Sequence, residues 1–193
     1  MIIRIKLAAV SAVAAFTFAS ASAAILVNQT PHSVDGYYSD GVAGQFYDQR
    51  MADNFSLGIE SNVTKIVWWG SSENWQFPDL TNFSAWVLRI YNDSAGNVGS
   101  EVFNTTVAKA STNPTATGQQ NSLGGDVYRQ EAAVAVNLQA GNYWLSIGSV
   151  NISPGDDAWV WSAAQNVYDD KLAAELGFGN GYQIFTGSGD LAF

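Results

Sequence analysis

Alternation of apolar and polar residues is the main signal along this chain, and it predicts β-strands. In the segment 85–91 (AWVLRIY) every second residue from Trp86 onward is large and apolar. A period of two places those side chains on one face of a strand. The segment 63–69 is rich in β-branched and aromatic residues and ends at Gly70, as strands often do. Weaker strand patterns lie at 25–27, 51–57, 102–107, 132–138, 142–152, 159–161, 182–185 and 191–193.

Turn residues separate these segments and set the expected architecture. About nine strands at regular spacing, with little helix, predict an all-β fold: an antiparallel β-sandwich of the jelly-roll type. Only 168–176 has a weak helical pattern, and 111–125 is expected to be a loop because it is rich in Ser, Thr, Asn, Gln and Gly. Residues 24–193 are expected to form a single domain.

Residues 1–23 have a different pattern, which predicts a secretory signal peptide. Arg4 and Lys6 precede the apolar run 7–18, and the small residues 21–23 (ASA) supply a cleavage site. The run is shorter than the roughly 20 residues of a membrane-spanning helix. The sequence therefore predicts a secreted protein, extracellular or at the cell surface, with no integral membrane segment after cleavage.

The amino-acid composition excludes several classes of partner and of chemistry. The chain has 8 basic and 17 acidic residues and a net charge of −9, which argues against nucleic acid because that affinity comes mainly from Lys and Arg on phosphates. It has no Cys and one His, His32, so thiol chemistry and multi-histidine metal sites are excluded. Neither a serine-hydrolase motif nor another catalytic constellation stands out, and a non-enzymatic protein is expected.

Three strand motifs resemble a module of secreted bacterial proteins, many of which end in a PEP-CTERM sorting tail. They are Ala52-Asp53-Asn54-Phe55, Trp69-Gly70, and the segment 86–99 with Tyr91, Asp93, Gly96 and Gly99. The resemblance covers roughly residues 50–110. It implies an extracellular β-sandwich and brings no catalytic residues. The Pro-Glu-Pro tail of that group is absent here.

Aromatic residues are the candidate ligand-binding groups, since the chain has 7 Trp, 8 Tyr and 10 Phe. Trp75 and Phe77 lie in a polar segment after a strand, and Trp159 and Trp161 share one face of another strand. Flat aromatic faces stack on sugar rings, so these four residues are the predicted polysaccharide platform. The alternative is that a given Trp belongs to the core, as is common in β-sandwiches.

Acidic residues suggest two further chemistries. No cofactor is predicted, but a structural calcium ion is a candidate, with Asp93, Asp156 and Asp157 as oxygen donors. Paired carboxylates could hydrolyse glycosides, with Asp53 and Glu73 as further candidates beside Asp156 and Asp157. For Asp53 the alternative is a structural acceptor for backbone amides.

These observations lead to one expected function and two alternatives. The leading hypothesis is a cell-surface or extracellular-matrix binding module with polysaccharide as its ligand. The first alternative is a structural or adhesive protein that self-associates through sheet edges, for example by exchanging the apolar segment 191–193. The second is a glycoside hydrolase that uses two of the carboxylates.

Overall fold

The computed structural model describes residues 24–45, 47–73, 79–153, 157–164 and 168–193, with the side chains of 33 and 34 left out. Eleven strands are present in these ranges. They are β1 (Pro31–Tyr38), β2 (Gln49–Leu57), β3 (Ser61–Ser72), β4 (Phe83–Ser94), β5 (Asn97–Ala108), β6 (Thr115–Gln120), β7 (Asp126–Leu138), β8 (Gly141–Asn151), β9 (Trp159–Ala164), β10 (Lys171–Leu176) and β11 (Gln183–Thr186).

The strands form two antiparallel sheets that pack face to face. Sheet A has the order β1-β9-β3-β7-β6, and sheet B has the order β11-β10-β2-β8-β4-β5. The pairs β1/β9, β2/β8, β3/β7 and β4/β5 nest inside one another along the chain. Successive pairs lie alternately in sheet A and sheet B, and this is the path of a jelly roll. The predicted antiparallel sandwich is therefore confirmed.

The β4/β5 hairpin shows how the local sequence sets the register. Ser94 pairs with Asn97, so Ala95 and Gly96 alone form the turn, with φ of 53° and 83°. Two positive φ values give the turn twist that suits an antiparallel hairpin. The Asp93 carboxylate accepts a hydrogen bond from the Gly96 amide at 2.9 Å and holds the turn.

A tryptophan cluster forms the centre of the core between the sheets. The ring centroids of Trp86 and Trp159 are 4.9 Å apart, and those of Trp68 and Trp86 are 6.2 Å apart. All three are fully buried. Gly70 lies against this cluster, and a Cβ there would be 2.3 Å from Nε1 of Trp159, so the indole occupies the space of a side chain.

The outer face of sheet B carries a second, smaller apolar cluster. Tyr91 and Trp144 are buried there, and Tyr182 packs against them from the segment before β11. Phe178 covers the guanidinium of Arg50 at 4.2 Å. Both faces of sheet B are thus covered, which explains why β4 is buried on both of its faces.

Several local expectations were wrong. The chain forms a strand, β10, where a helical turn was predicted, and another, β6, inside the predicted loop 111–125. Neither 25–27 nor 191–193 is a strand, since Leu191 forms only an isolated bridge with Ala163. The strand β1 lies in a segment for which no strand was predicted. Every residue of β6 is exposed, so its sequence has no need to alternate between apolar and polar residues. Four consecutive residues of β10 are buried, which removes alternation as a signal.

The predicted signal peptide, residues 1–23, lies outside the described residues. Within the part of the chain that is described, no helix has the length and apolar character needed to cross a bilayer.

Candidate functional site

Two of the four predicted platform residues are in the core. Trp159 and Trp161 share one face, as the sequence indicated, but that face points between the sheets and both residues are fully buried. Their rings lie 6.0 Å apart, and Nε1 of Trp161 donates a hydrogen bond to the carbonyl of Ala192 at 2.9 Å. They cannot stack on a ligand at the surface, which corrects that prediction. Trp75 and Phe77 lie outside the described residues.

A different aromatic pair lies at the surface where β1 and β3 end and β2 begins. Tyr38 and Tyr47 stack with ring centroids 4.1 Å apart and planes inclined by 21°. Both phenol groups donate hydrogen bonds to Oε1 of Glu73, at 2.6 Å from Tyr38 and 3.0 Å from Tyr47. Tyr47 is 41% exposed, and Tyr38 is half-buried. We call Tyr38, Tyr47 and Glu73 the tyrosine platform.

The strand ends place these three side chains together. Tyr38 is the last residue of β1, and Glu73 follows β3, where its amide donates to the carbonyl of Ala158 at 2.8 Å. Tyr47 precedes β2, and its amide donates to Oδ2 of Asp40 at 3.1 Å. The Asp40 carboxylate is buried and accepts the amides of both Tyr47 and Gln49, so it fixes the segment that carries Tyr47 against the sandwich.

The electrostatics of the tyrosine platform keep both phenols protonated. Burial raises the pKa of Tyr38 above its ordinary value, and the hydrogen bond to the Glu73 carboxylate raises it further. Burial also raises the pKa of Tyr47, with the Glu73 carboxylate adding to the effect and the Tyr38 hydrogen bond opposing it. Both side chains therefore remain donors that hold the carboxylate, and the two rings keep one orientation.

Two of the three predicted calcium donors, Asp93 and Asp157, are engaged in other contacts. Asp93 accepts the Gly96 amide and, through Oδ2, the indole N–H of Trp144 at 3.0 Å. Asp157 is buried and accepts the hydroxyl of Ser72 at 2.5 Å. Asp156 lies outside the described residues. Among the residues that are described, no group of three His, Cys, Asp or Glu side chains is arranged to hold a metal ion.

The carboxylates considered for hydrolysis have structural partners. Asp53 is fully buried and accepts the amides of Asn54 at 2.9 Å and Leu191 at 2.6 Å. This matches the alternative stated for it, an acceptor for backbone amides. Glu73 holds the two tyrosines, and Asp157 holds Ser72 and the amide of the next residue. These contacts describe scaffolding roles for all three acids.

An apolar cavity of about 390 Å³ opens beside β3. The strand β3 pairs with β9 only through Gly70–Ser72, because the C-terminal residues occupy the rest of that edge of β9, with Leu191 opposite Ala163. The edge of β3 before Gly70 therefore faces the cavity. Its apolar lining includes Ile25, Phe55, Val63, Ile66, Leu145 and Phe193.

Sequence reasoning missed Tyr38 and Tyr47. The pair is separated by nine positions across a turn-rich segment, and the carboxylate that joins them lies a further 26 positions along the chain. No periodic pattern connects such residues, since their proximity depends on the ends of three strands meeting.

Comparison with known proteins gives no matching family model, no matching curated protein and no matching solved structure. The resemblance to PEP-CTERM-associated proteins stays a prediction.

Proposed function

We propose that this protein is an exported, non-enzymatic binding module that recognises polysaccharide through the tyrosine platform. One observation carries the proposal: a stacked tyrosine pair stands at the surface with both hydroxyls fixed on one carboxylate. A jelly-roll fold by itself does not indicate a function, so the argument rests on these side chains.

Sugar chemistry fits such a surface. A tyrosine ring is large, rigid and amphipathic, so it offers contact area at a low cost in conformational entropy. Hydrogen bonds to Glu73 already restrict both rings, which reduces the ordering cost of binding further. Carboxylate oxygens accept the hydroxyls of sugars. The net charge of −9 repels polyanions, so the expected ligand class is neutral polysaccharide.

The sequence position of Trp75 supports the same proposal. It follows Glu73 by two residues, and Phe77 follows by four. Two further aromatic residues are therefore encoded directly after the carboxylate of the tyrosine platform.

Assembly through sheet edges is the second candidate, and one observation favours it. The edge of β3 before Gly70 is not paired with β9, and unpaired edges are sites of strand addition. Exchange of 191–193 is a less suitable route, because Leu191 and Ala192 are fully buried within their own chain. Sedimentation over a range of protein concentrations tests this candidate, and a purely monomeric protein would count against it.

The binding proposal is tested by calorimetric titration of residues 24–193 with a panel of neutral polysaccharides. Tyr47→Ala is expected to weaken binding by about tenfold or more, since truncating a central aromatic contact costs about 2 kcal/mol. Tyr47→Phe keeps the ring and loses the bond to Glu73, so a smaller loss is expected.

Tyr168→Ala is the matched control. Tyr168 is 52% exposed and its hydroxyl contacts Ser56, near the opposite end of β2. Thermal melts establish that each variant is folded. Binding that is unaffected by Tyr47→Ala, or weakened equally by the control, contradicts the role of the tyrosine platform. A wild-type protein that binds no member of the panel contradicts the proposed ligand class.

A further inference from the structure

Three side chains near the start of β10 each have a buried oxygen atom without a hydrogen-bond partner among the described residues. The atoms are Oδ1 of Asn54, Oδ1 of Asp169 and Oδ1 of Asp190. Asp190 is fully buried. A buried acceptor that is left unsatisfied costs about 1–3 kcal/mol, so three in one region require a physical explanation.

Hydrogen bonds bring the three residues together. Nδ2 of Asn54, on β2, donates to Oδ2 of Asp169 at 2.8 Å. Oδ2 of Asp190 accepts the amide of Tyr168, the residue before Asp169. A second hydrogen bond joins the same two segments, with the donor now in the segment after β11. The Gly189 amide donates to Oδ1 of Asp170, in the turn before β10, at 2.7 Å.

A further carboxylate lies beside this group. Asp53 is fully buried, precedes Asn54 in the chain and accepts the amide of Leu191, the residue after Asp190. Lys171 forms an ion pair with Oδ2 of Asp169 at 3.0 Å.

We propose that Asn54, Asp169 and Asp190 form a calcium site, with their three unpartnered oxygens as ligands. The donors are two carboxylates and one amide, which are hard oxygen ligands of the kind that Ca²⁺ prefers. The absence of a three-member acidic group among the described residues is consistent with this, because the third oxygen comes from an amide. Water and backbone carbonyls supply the remaining ligands that Ca²⁺ takes.

This site has a structural role in the fold. It links β2, the turn before β10 and the segment before the C-terminal residues, which are far apart in sequence. A bound divalent cation offsets the repulsion among the carboxylates and satisfies the three oxygens together. It therefore stabilises the packing of the C-terminal segment, and it is independent of the tyrosine platform.

The test begins with protein treated with a chelator and then titrated with CaCl₂ by calorimetry and by thermal unfolding. We expect saturable binding of one ion and a melting temperature raised by roughly 5–10 °C at a hundredfold excess over Kd. Asp190→Asn is expected to weaken calcium binding at least tenfold. Asp169→Asn is expected to do the same, and it provides a second variant if the first does not fold.

Asp126→Asn is the matched control, because Asp126 lies on sheet A and contacts Gln120. It should bind calcium as the wild type does. No saturable binding at millimolar calcium overturns the proposal, as does equal binding by the control and both site variants. If the carboxylates share a proton instead of binding calcium, calcium should have no effect on stability. Chelator-treated Asp190→Asn protein should then be more stable than the wild type at pH 7, and this result also overturns the proposal.

Discussion

Replacing Leu191 by alanine tests whether the C-terminal residues complete the core of their own chain. Leu191 is fully buried, belongs to the main apolar cluster and lies opposite Ala163. Its amide donates to Oδ2 of Asp53 at 2.6 Å, and that bond is retained in the variant because residue 191 contributes only its backbone amide to it. The substitution therefore isolates the contribution of the side chain.

The structure sets the size of the effect. Truncation of a fully buried leucine loses its transfer free energy and leaves a cavity, which together cost about 3–5 kcal/mol. With a urea m-value of about 2–3 kcal/mol/M for a domain of this size, the unfolding midpoint should fall by about 1–2.5 M. Leu176→Ala is the control, since Leu176 is 49% exposed and its truncation should cost less than about 1 kcal/mol.

Equilibrium unfolding in urea, followed by tryptophan fluorescence, measures both variants. Trp161 contacts the C-terminal residues through Ala192 and reports on their packing. Equal midpoint shifts for Leu191→Ala and Leu176→Ala would refute the reasoning. A wild-type dimer that the Leu191 variant converts to a monomer would instead support strand exchange.

Two further predictions concern the core and the buried acids. Gly70→Ala should destabilise the fold by about 1–3 kcal/mol, measured by thermal unfolding, because its Cβ would overlap the indole of Trp159, and a neutral result would contradict the packing described. In chelator-treated protein, stability should fall as pH rises from about 4, the ordinary carboxyl range. The reason is that Asp53 and Asp190 have raised pKa values, so the folded state keeps protons that the unfolded state releases. Urea midpoints at several pH values check this, and a rise over that window would contradict it.

The alternation of apolar and polar residues predicted a strand where one face of that strand is buried and the other is exposed. The segment 132–138 alternates in sequence, and within β7 its residues alternate between buried or half-buried and exposed. The same rule failed for β6, which is exposed on both faces, and for β10, which is buried on both. Alternation reports a difference between the two faces of a strand, so it disappears when both faces meet the same environment.

The tryptophans show the same limit of sequence-based prediction. Trp68 and Trp69 are neighbours on β3 and point to opposite faces, and Trp68 is fully buried while Trp69 is half-buried. The sequence indicated that Trp159 and Trp161 share a face. Which side that face points to depends on the sheet that covers it, and the sequence of β9 carries no such information.

The amino-acid sequence by itself determined the all-β class, most of the strands and the exclusion of thiol and multi-histidine chemistry, because these depend on composition and on contacts between near neighbours. Only the tertiary structure decided where side chains converge. Tyr38, Tyr47 and Glu73 meet because three strand ends coincide, and Asn54, Asp169 and Asp190 meet because β10 packs beside β2. Such contacts join residues far apart in the chain, and no local pattern encodes them.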